Sequence, residues 1–174
     1  MRAALAEVDI DAVVAIGEAT RGEAPQPQKG ERLGHPGSAF KAFVYLAALE
    51  NGYRPDSVEV DEPVRIGNWS PENYKRKYLG PVSLDQAYAL SLNTVAAKLT
   101  QAVAPSSVTK VAKRLGITSK LGQDASIALG TSEVSLLEMT TAFTPFANGG
   151  QAVEPYVVKR ILSRDGNVIY ERSG

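Results

Sequence analysis

Gly34-His35-Pro36-Gly37-Ser38-Ala39-Phe40-Lys41-Ala42-Phe43-Val44-Tyr45-Leu46-Ala47-Ala48-Leu49-Glu50-Asn51-Gly52 is the stretch on which the fold turns. Phe40, Phe43, Val44, Ala47 and Ala48 recur at helical spacing, and Gly52 stands where a helix C-terminus stops. The pattern predicts a helix over 38–51, apolar on most faces and therefore central to the core. Ser38 opens it, above unpaired backbone N–H groups and the positive end of the helix dipole. Lys41 follows one turn later on the same face, within reach of the Ser38 hydroxyl. Between Phe40 and Phe43 its amine is partly desolvated, which lowers a lysine pKa and makes a neutral base available. S-x-x-K is an arrangement of acyl-transferring serine enzymes, but an N-cap serine followed by an ordinary lysine reads the same way. Ser107-Val108-Thr109-Lys110 repeats the spacing and reads as surface helix.

Working outward, the apolar run Ile10 to Ile16 reads as a short buried strand, and residues 17–37 as a Gly/Pro-rich loop. After Gly52, Val58 to Ile66 alternates as a strand interrupted by Pro63. Gly67 to Pro81 is a polar, aromatic loop holding Trp69, Tyr74 and Tyr78. Ser83 with Gln86 forms an S-x-x-Q capping box for a short helix to about Leu90. Helical periodicity resumes over Thr94 to Val103 and again over Ser106 to Leu115. Ser135 with Glu138 makes another capping box, opening a helix through Ala147. Tyr156 to Leu162 and Asn167 to Glu171 flank Asp165-Gly166, a hairpin signal. The expected architecture is α+β: a helical region over 38–150, a hairpin over 151–174, and the two chain ends meeting in one sheet.

Composition narrows the function. The 174 residues carry 19 basic and 19 acidic side chains, so the footprint of a nucleic-acid binder is missing. With no cysteine and one histidine, thiolate catalysis, Cys-based zinc sites and His-rich metal sites are excluded, and neither metal nor cofactor is expected. His35 itself, in a Gly/Pro turn, reads as a packing residue. No apolar run reaches a membrane span of about 18 residues. The opening Met1-Arg2-Ala3-Ala4-Leu5-Ala6-Glu7 turns acidic too soon for a signal peptide. Ser91-Leu92-Asn93 is the second candidate for chemistry. In a break between helices, Ser91 can relay a proton and Asn93 can bind a substrate amide. Both are also ordinary turn residues, and Asn93 could simply cap the next helix. Trp69 and Tyr74 could line a groove or form a satellite core.

The Gly34–Gly52 stretch resembles the nucleophile helix of class A penicillin-binding proteins. Further matches follow in family order: Trp69-Ser70-Pro71-Glu72-Asn73-Tyr74, Ser91-Leu92-Asn93-Thr94, Leu115-Gly116-Ile117, Ala128-Leu129-Gly130-Thr131-Ser132-Glu133-Val134, Asn148-Gly149-Gly150 and Val153-Glu154-Pro155-Tyr156. The resemblance covers roughly residues 34–171. It implies the penicillin-recognising serine transpeptidase (β-lactamase-like) fold, a helical region beside an antiparallel sheet. It also implies roles: Ser38 as acylated nucleophile, Lys41 as its base, Ser91 and Asn93 as the second motif; Trp69 is kept as a substrate-binding candidate from its place in the loop. The substrate would be the D-Ala-D-Ala end of a peptidoglycan stem peptide, mimicked by β-lactams. The implied setting is the periplasm or cell-wall face of a membrane, in a parent protein anchored there.

The sequence also departs from the family. No Lys is followed by Thr-Gly or Ser-Gly, so the third motif is missing, and Arg172-Ser173-Gly174 leaves nothing beyond it to complete an oxyanion hole. Residues 17–33 lack the usual glycine pair and F-N-R-A run, and Ala42 replaces a common proline. The expectation is a single partial transpeptidase domain over 1–174. Its acylation should be slow, since losing one oxyanion donor typically costs about 10²–10³ in rate. Its open sheet edge should favour a homodimer or strand exchange. A non-catalytic helical module is the alternative from another class. A β-lactamase or β-lactam sensor relative would need a deacylating carboxylate, for which Glu72 is the only acid in a suitable loop.

Overall fold

The computed structural model describes residues 33–173. The strand expected over 10–16 and the loop over 17–32 lie outside them. The chain enters through β1 (Leu33–Gly34), a two-residue strand, and a 3₁₀ turn, Gly37–Phe40, that leads directly into α1 (Lys41–Glu50). The single helix expected over 38–51 is thus two pieces. Gly37 sits at φ +57°, and the tighter turn after it carries Ser38 before α-helical geometry begins at Lys41. Gly52, at φ +93°, closes α1 in the left-handed conformation that a residue without Cβ adopts at least cost.

Helix α1 is the axis of the core. Phe40, Phe43, Val44, Ala47 and Ala48 are fully buried, and the alanines allow close approach of its neighbours. Those neighbours are α3 (Asn93–Val103) and α4 (Pro105–Arg114). Pro105 stands at the first turn of α4, where its missing N–H removes nothing from the hydrogen-bond ladder. Phe40 meets Phe43 edge-on at 4.9 Å, and Phe43 meets Phe143 of α5 (Leu136–Ala147) at 5.8 Å. Such pairs add about 0.5–1.5 kcal/mol each beyond area burial. They tie the last helix to the one that presents the site.

The strands are short. β2 (Val58–Asp61) pairs antiparallel with β3 (Gly80–Ser83), Val58 opposite Ser83 and Asp61 opposite Gly80. The strand expected to reach Ile66 ends at Asp61, before Pro63, which cannot donate to a ladder. β1 pairs with β4 (Val134–Ser135), so the last part of the expected 17–37 loop is anchored to the start of α5. β5 (Arg160–Leu162) and β6 (Val168–Glu171) form the expected hairpin, with Gly166 at φ +80° in its turn. The described residues therefore hold three two-stranded sheets.

Two capping expectations separate. Ser135 and Glu138 form their box: Glu138 N–H donates to Ser135 Oγ at 3.2 Å and Ser135 N–H to Glu138 Oε2 at 2.8 Å. Ser83 does not cap α2 (Leu84–Ala89); its hydroxyl turns to Asp85, which also accepts the Gln86 N–H at 2.8 Å. An acid in the first turn has displaced the box by supplying a stronger acceptor.

Candidate active site

Ser38 and Lys41 are brought to one end of α1 with opposite exposures. Ser38 faces solvent, whereas Lys41 is only 1% exposed. The Lys41 amine reaches Ser38 Oγ at 3.2 Å. Across the chain, it also donates to Ser91 O at 2.6 Å, Ser91 Oγ at 2.8 Å and Asn93 Oδ1 at 2.6 Å. The two motifs, about fifty residues apart, converge on one nitrogen.

The backbone at Ser91 makes this possible. Its φ of +53° is left-handed, a conformation that costs a non-glycine residue on the order of 1 kcal/mol. The break after α2 bonds Ser91 N–H to Tyr88 O and Leu92 N–H to Ala87 O, and it aims both Ser91 oxygens at the amine. Asn93 is the first residue of α3, not its cap. Its Nδ2 donates to the Glu72 carbonyl at 2.7 Å while its Oδ1 holds Lys41. One amide donor is already engaged by the protein, leaving one for a ligand.

Four acceptors around one amine exceed its capacity. An ammonium has three N–H bonds, so one of the four oxygens receives none. Ser91 O and Asn93 Oδ1 can only accept, and they lie nearest. The two hydroxyls can donate as well. When Lys41 is neutral, its two N–H bonds satisfy the obligatory acceptors and its lone pair is left facing Ser38 Oγ and Ser91 Oγ. Burial lowers the Lys41 pKa from 10.5 to about 8, and no carboxylate is among its hydrogen-bond partners to restore it. Near neutral pH about one molecule in ten then carries the free amine.

The other sequence candidates are placed less centrally. Trp69 is half-buried and closes a tight turn, its backbone paired with Ile66, and no described hydrogen bond links it to the Lys41 cluster. Glu72 contributes its carbonyl to Asn93, but its carboxylate is exposed and bound to Arg76 at 2.8 Å. His35 is exposed rather than packed. Lys110 of the second S-x-x-K is exposed on α4, as expected of a surface helix. Among the described residues no His/Asp/Glu cluster could hold a metal ion, and no helix is long and apolar enough to cross a membrane.

Gly130 is a residue whose positional part the sequence motifs do not show. It ends the 3₁₀ turn Ala125–Leu129 at φ +66° against the backbone just before Ser38. A Cβ there would stand 2.3 Å from Gly37 O and 2.4 Å from Gly37 N, an overlap no rotamer relieves. Two glycines in backbone contact fix the turn that carries Ser38. A glycine following an apolar 3₁₀ segment was the available signal.

Comparison with known proteins places nearly the whole described region in one family. The family model of the penicillin binding protein transpeptidase domain matches residues 33–172. The chain is 38% identical over 148 residues to penicillin-binding protein 1A of Rickettsia felis, covering 82% of this chain and 19% of that protein. It is 38% identical over 143 residues to penicillin-binding protein 1A of Pseudomonas aeruginosa, covering 78% and 17%. The chain thus spans about a fifth of the length of the curated relatives it matches. Among solved structures, penicillin-binding protein 1A of Haemophilus influenzae superposes with a TM-score of 0.74 at 29% identity, over 83% of this chain and 22% of that one. An imipenem acyl-enzyme complex of penicillin-binding protein A from Mycobacterium tuberculosis gives 0.79 at 20% identity, over 96% and 45%, a likeness of fold.

Proposed function

The chain belongs to the penicillin-binding protein transpeptidase family, and from that premise we propose that Ser38 is its acylated nucleophile and Lys41 the base that activates it. The observation that carries the proposal is the single buried amine shared by Ser38, Ser91 and Asn93. Neutral Lys41 takes the Ser38 proton as Oγ attacks the carbonyl of a D-Ala-D-Ala amide, or of a β-lactam that mimics it. The C–O bond forms, the C–N bond breaks, and the leaving nitrogen receives a proton through Ser91. A second amine then attacks the ester and releases Ser38. Asn93 uses its remaining amide donor on the substrate, with Trp69 on the neighbouring loop wall. The Ser38 N–H supplies one oxyanion donor.

In the whole protein this reaction is cross-linking of peptidoglycan stem peptides outside the cytoplasm, by a parent anchored at the membrane. We read residues 1–174 as part of that one transpeptidase domain. Because K-[ST]-G is missing from this sequence, the 174-residue polypeptide tested alone acylates slowly. Exposed apolar side chains on β5 and β6, among them Ile169 and Ile161, support pairing of two copies through the hairpin edge.

Incubation with a reporter penicillin, followed by peptide mapping, tests the assignment. The adduct is expected on the peptide containing Ser38 and is absent from Ser38→Ala. An adduct on another residue, or none at prolonged exposure to high concentration, overturns the reading.

A further inference from the structure

Asn93 is held at both of its polar ends by two adjacent residues of the preceding loop. Its side chain donates to the Glu72 carbonyl at 2.7 Å, and its backbone N–H donates to Asn73 Oδ1 at 2.8 Å. Asn73 Oδ1 also accepts the Thr94 N–H at 3.3 Å. The N-terminus of α3 has no side-chain cap of its own, because its N-cap position is Leu92. Orphan N–H groups at a helix start need an acceptor, and here it arrives from twenty residues upstream.

Asn73 is itself locked. It is 6% exposed, and its Nδ2 donates to Asp61 Oδ1 at 2.7 Å and to Lys77 O at 3.0 Å. Both amide donors and both acceptor positions are therefore used. Asp61, fully buried, receives Asn73 Nδ2 and the Thr94 hydroxyl on Oδ1 and the Leu79 N–H on Oδ2 at 2.9 Å. No cation is among its described partners. Its three described donors are all neutral, two from the loop between β2 and β3 (Asn73 and Leu79) and one from α3 (Thr94).

We infer that Asp61 and Asn73 form a positioning unit for the Lys41 amine, acting through Asn93. The unit fixes the first turn of α3, the turn aims Asn93 Oδ1, and Asn93 Oδ1 occupies one N–H of Lys41. An acceptor that cannot donate is thereby kept on the amine, and the lone pair stays directed at the serine hydroxyls. A locally supplied cap, a serine or aspartate at position 92, would satisfy the helix equally but would not couple it to the 72–73 loop. The inference rests on the reading of Lys41 as the base for Ser38.

The test follows the Lys41 titration by NMR in protein carrying ¹³C-labelled lysine, with the resonance assigned by its loss in Lys41→Met. No penicillin is present, so a chain that never acylates would sink the nucleophile assignment while leaving this measurement decisive. In Asn73→Ala, water enters beside the amine and the Lys41 midpoint is expected to rise by about one unit, a tenfold loss of neutral amine near pH 7. Thr94→Val is a near-isosteric second variant that removes one donor from Asp61 without changing any charge. Its midpoint is expected to rise by about half a unit. An unmoved midpoint in folded Asn73→Ala overturns the inference. If Asn73→Ala does not fold, Thr94→Val decides alone, and an unmoved midpoint there overturns it.

Discussion

Residues 38–41 and 107–110 share one spacing, serine followed three positions later by lysine, and they end as opposites. In the first, the lysine is buried and the serine exposed; in the second, Val108 and Thr109 face the core and Lys110 faces water. The phase of the motif against the core differs, and with it the chemistry. Lys41 is drawn inside because Phe40 and Phe43 carry its helix to the centre of the molecule and because Ser91 and Asn93 supply acceptors there. Lys110 has no such acceptors among its described hydrogen bonds. The spacing makes a serine–lysine pair possible; burial and partners distant in sequence make it reactive.

The comparison is broken most directly at the lysines. Lys41→Met should reduce penicillin acylation by about 10³-fold, in the range a general base contributes, while Lys110→Met leaves it unchanged. Adduct yield by intact-mass spectrometry reads both. Equal loss in the two variants would remove the distinction drawn here. The Met variant should still fold, because Met fills the Lys41 volume and the acceptors it leaves belong to exposed Ser91 and half-buried Asn93, where water can reach them.

A smaller effect is expected at the turn that carries Ser38. Gly130→Ala forces a Cβ into the Gly37 backbone at a positive φ, which should cost about 2–3 kcal/mol and slow acylation about tenfold. Gly122→Ala is the matched control. Its nearest contact is the Ser132 hydroxyl at 3.4 Å, and its expected cost is under about 1 kcal/mol. Urea unfolding of the two variants separates them, and similar midpoints would contradict the backbone-contact reading.

Smallest for the site, though not for the fold, is Glu138. Its Oε1 accepts the Thr118 hydroxyl and the Thr118 and Ser119 N–H groups, and its Oε2 accepts the Ser119 hydroxyl and the Ser135 N–H. Burial works against its charge, but these donors outweigh it and hold the carboxyl at about 2, down from 4.5. Its contribution is therefore complete above pH 4.5 and disappears as pH falls toward 2. Glu138→Gln should cost about 2 kcal/mol at neutral pH and flatten the acid limb of the stability curve, with acylation per folded molecule unchanged. An acid limb identical to the parent's would contradict this account of the carboxylate.

Local signals in the sequence gave good purchase where the structure is built locally. The α3 and α4 periodicities, the stop at Gly52 and the Ser135–Glu138 box all appear where their residue types place them. The pairing of Ser38 and Lys41 was legible for the same reason, since i and i+3 share a face. What was not legible is carried by contacts across the chain. Asn73 caps a helix that begins twenty residues later, and Asp61, at the end of β2, accepts the Leu79 N–H from eighteen residues on, neither of which leaves a periodic trace. The 3₁₀ start at Gly37 depends on Gly130, more than ninety residues away. Ser83 lost its cap to Asp85, a competitor two residues on that an S-x-x-Q pattern does not weigh.

The central claim is that one buried amine, shared by Ser38, Ser91 and Asn93, acts when neutral. Adduct formation on Ser38, followed against pH with a reporter penicillin, measures that most directly. Burial holds Lys41 near 8, so the rate should climb about tenfold per pH unit below that value and level off above it. A rate that is flat from about pH 6 to pH 9 while the protein stays folded would show that Ser38 is not waiting on Lys41.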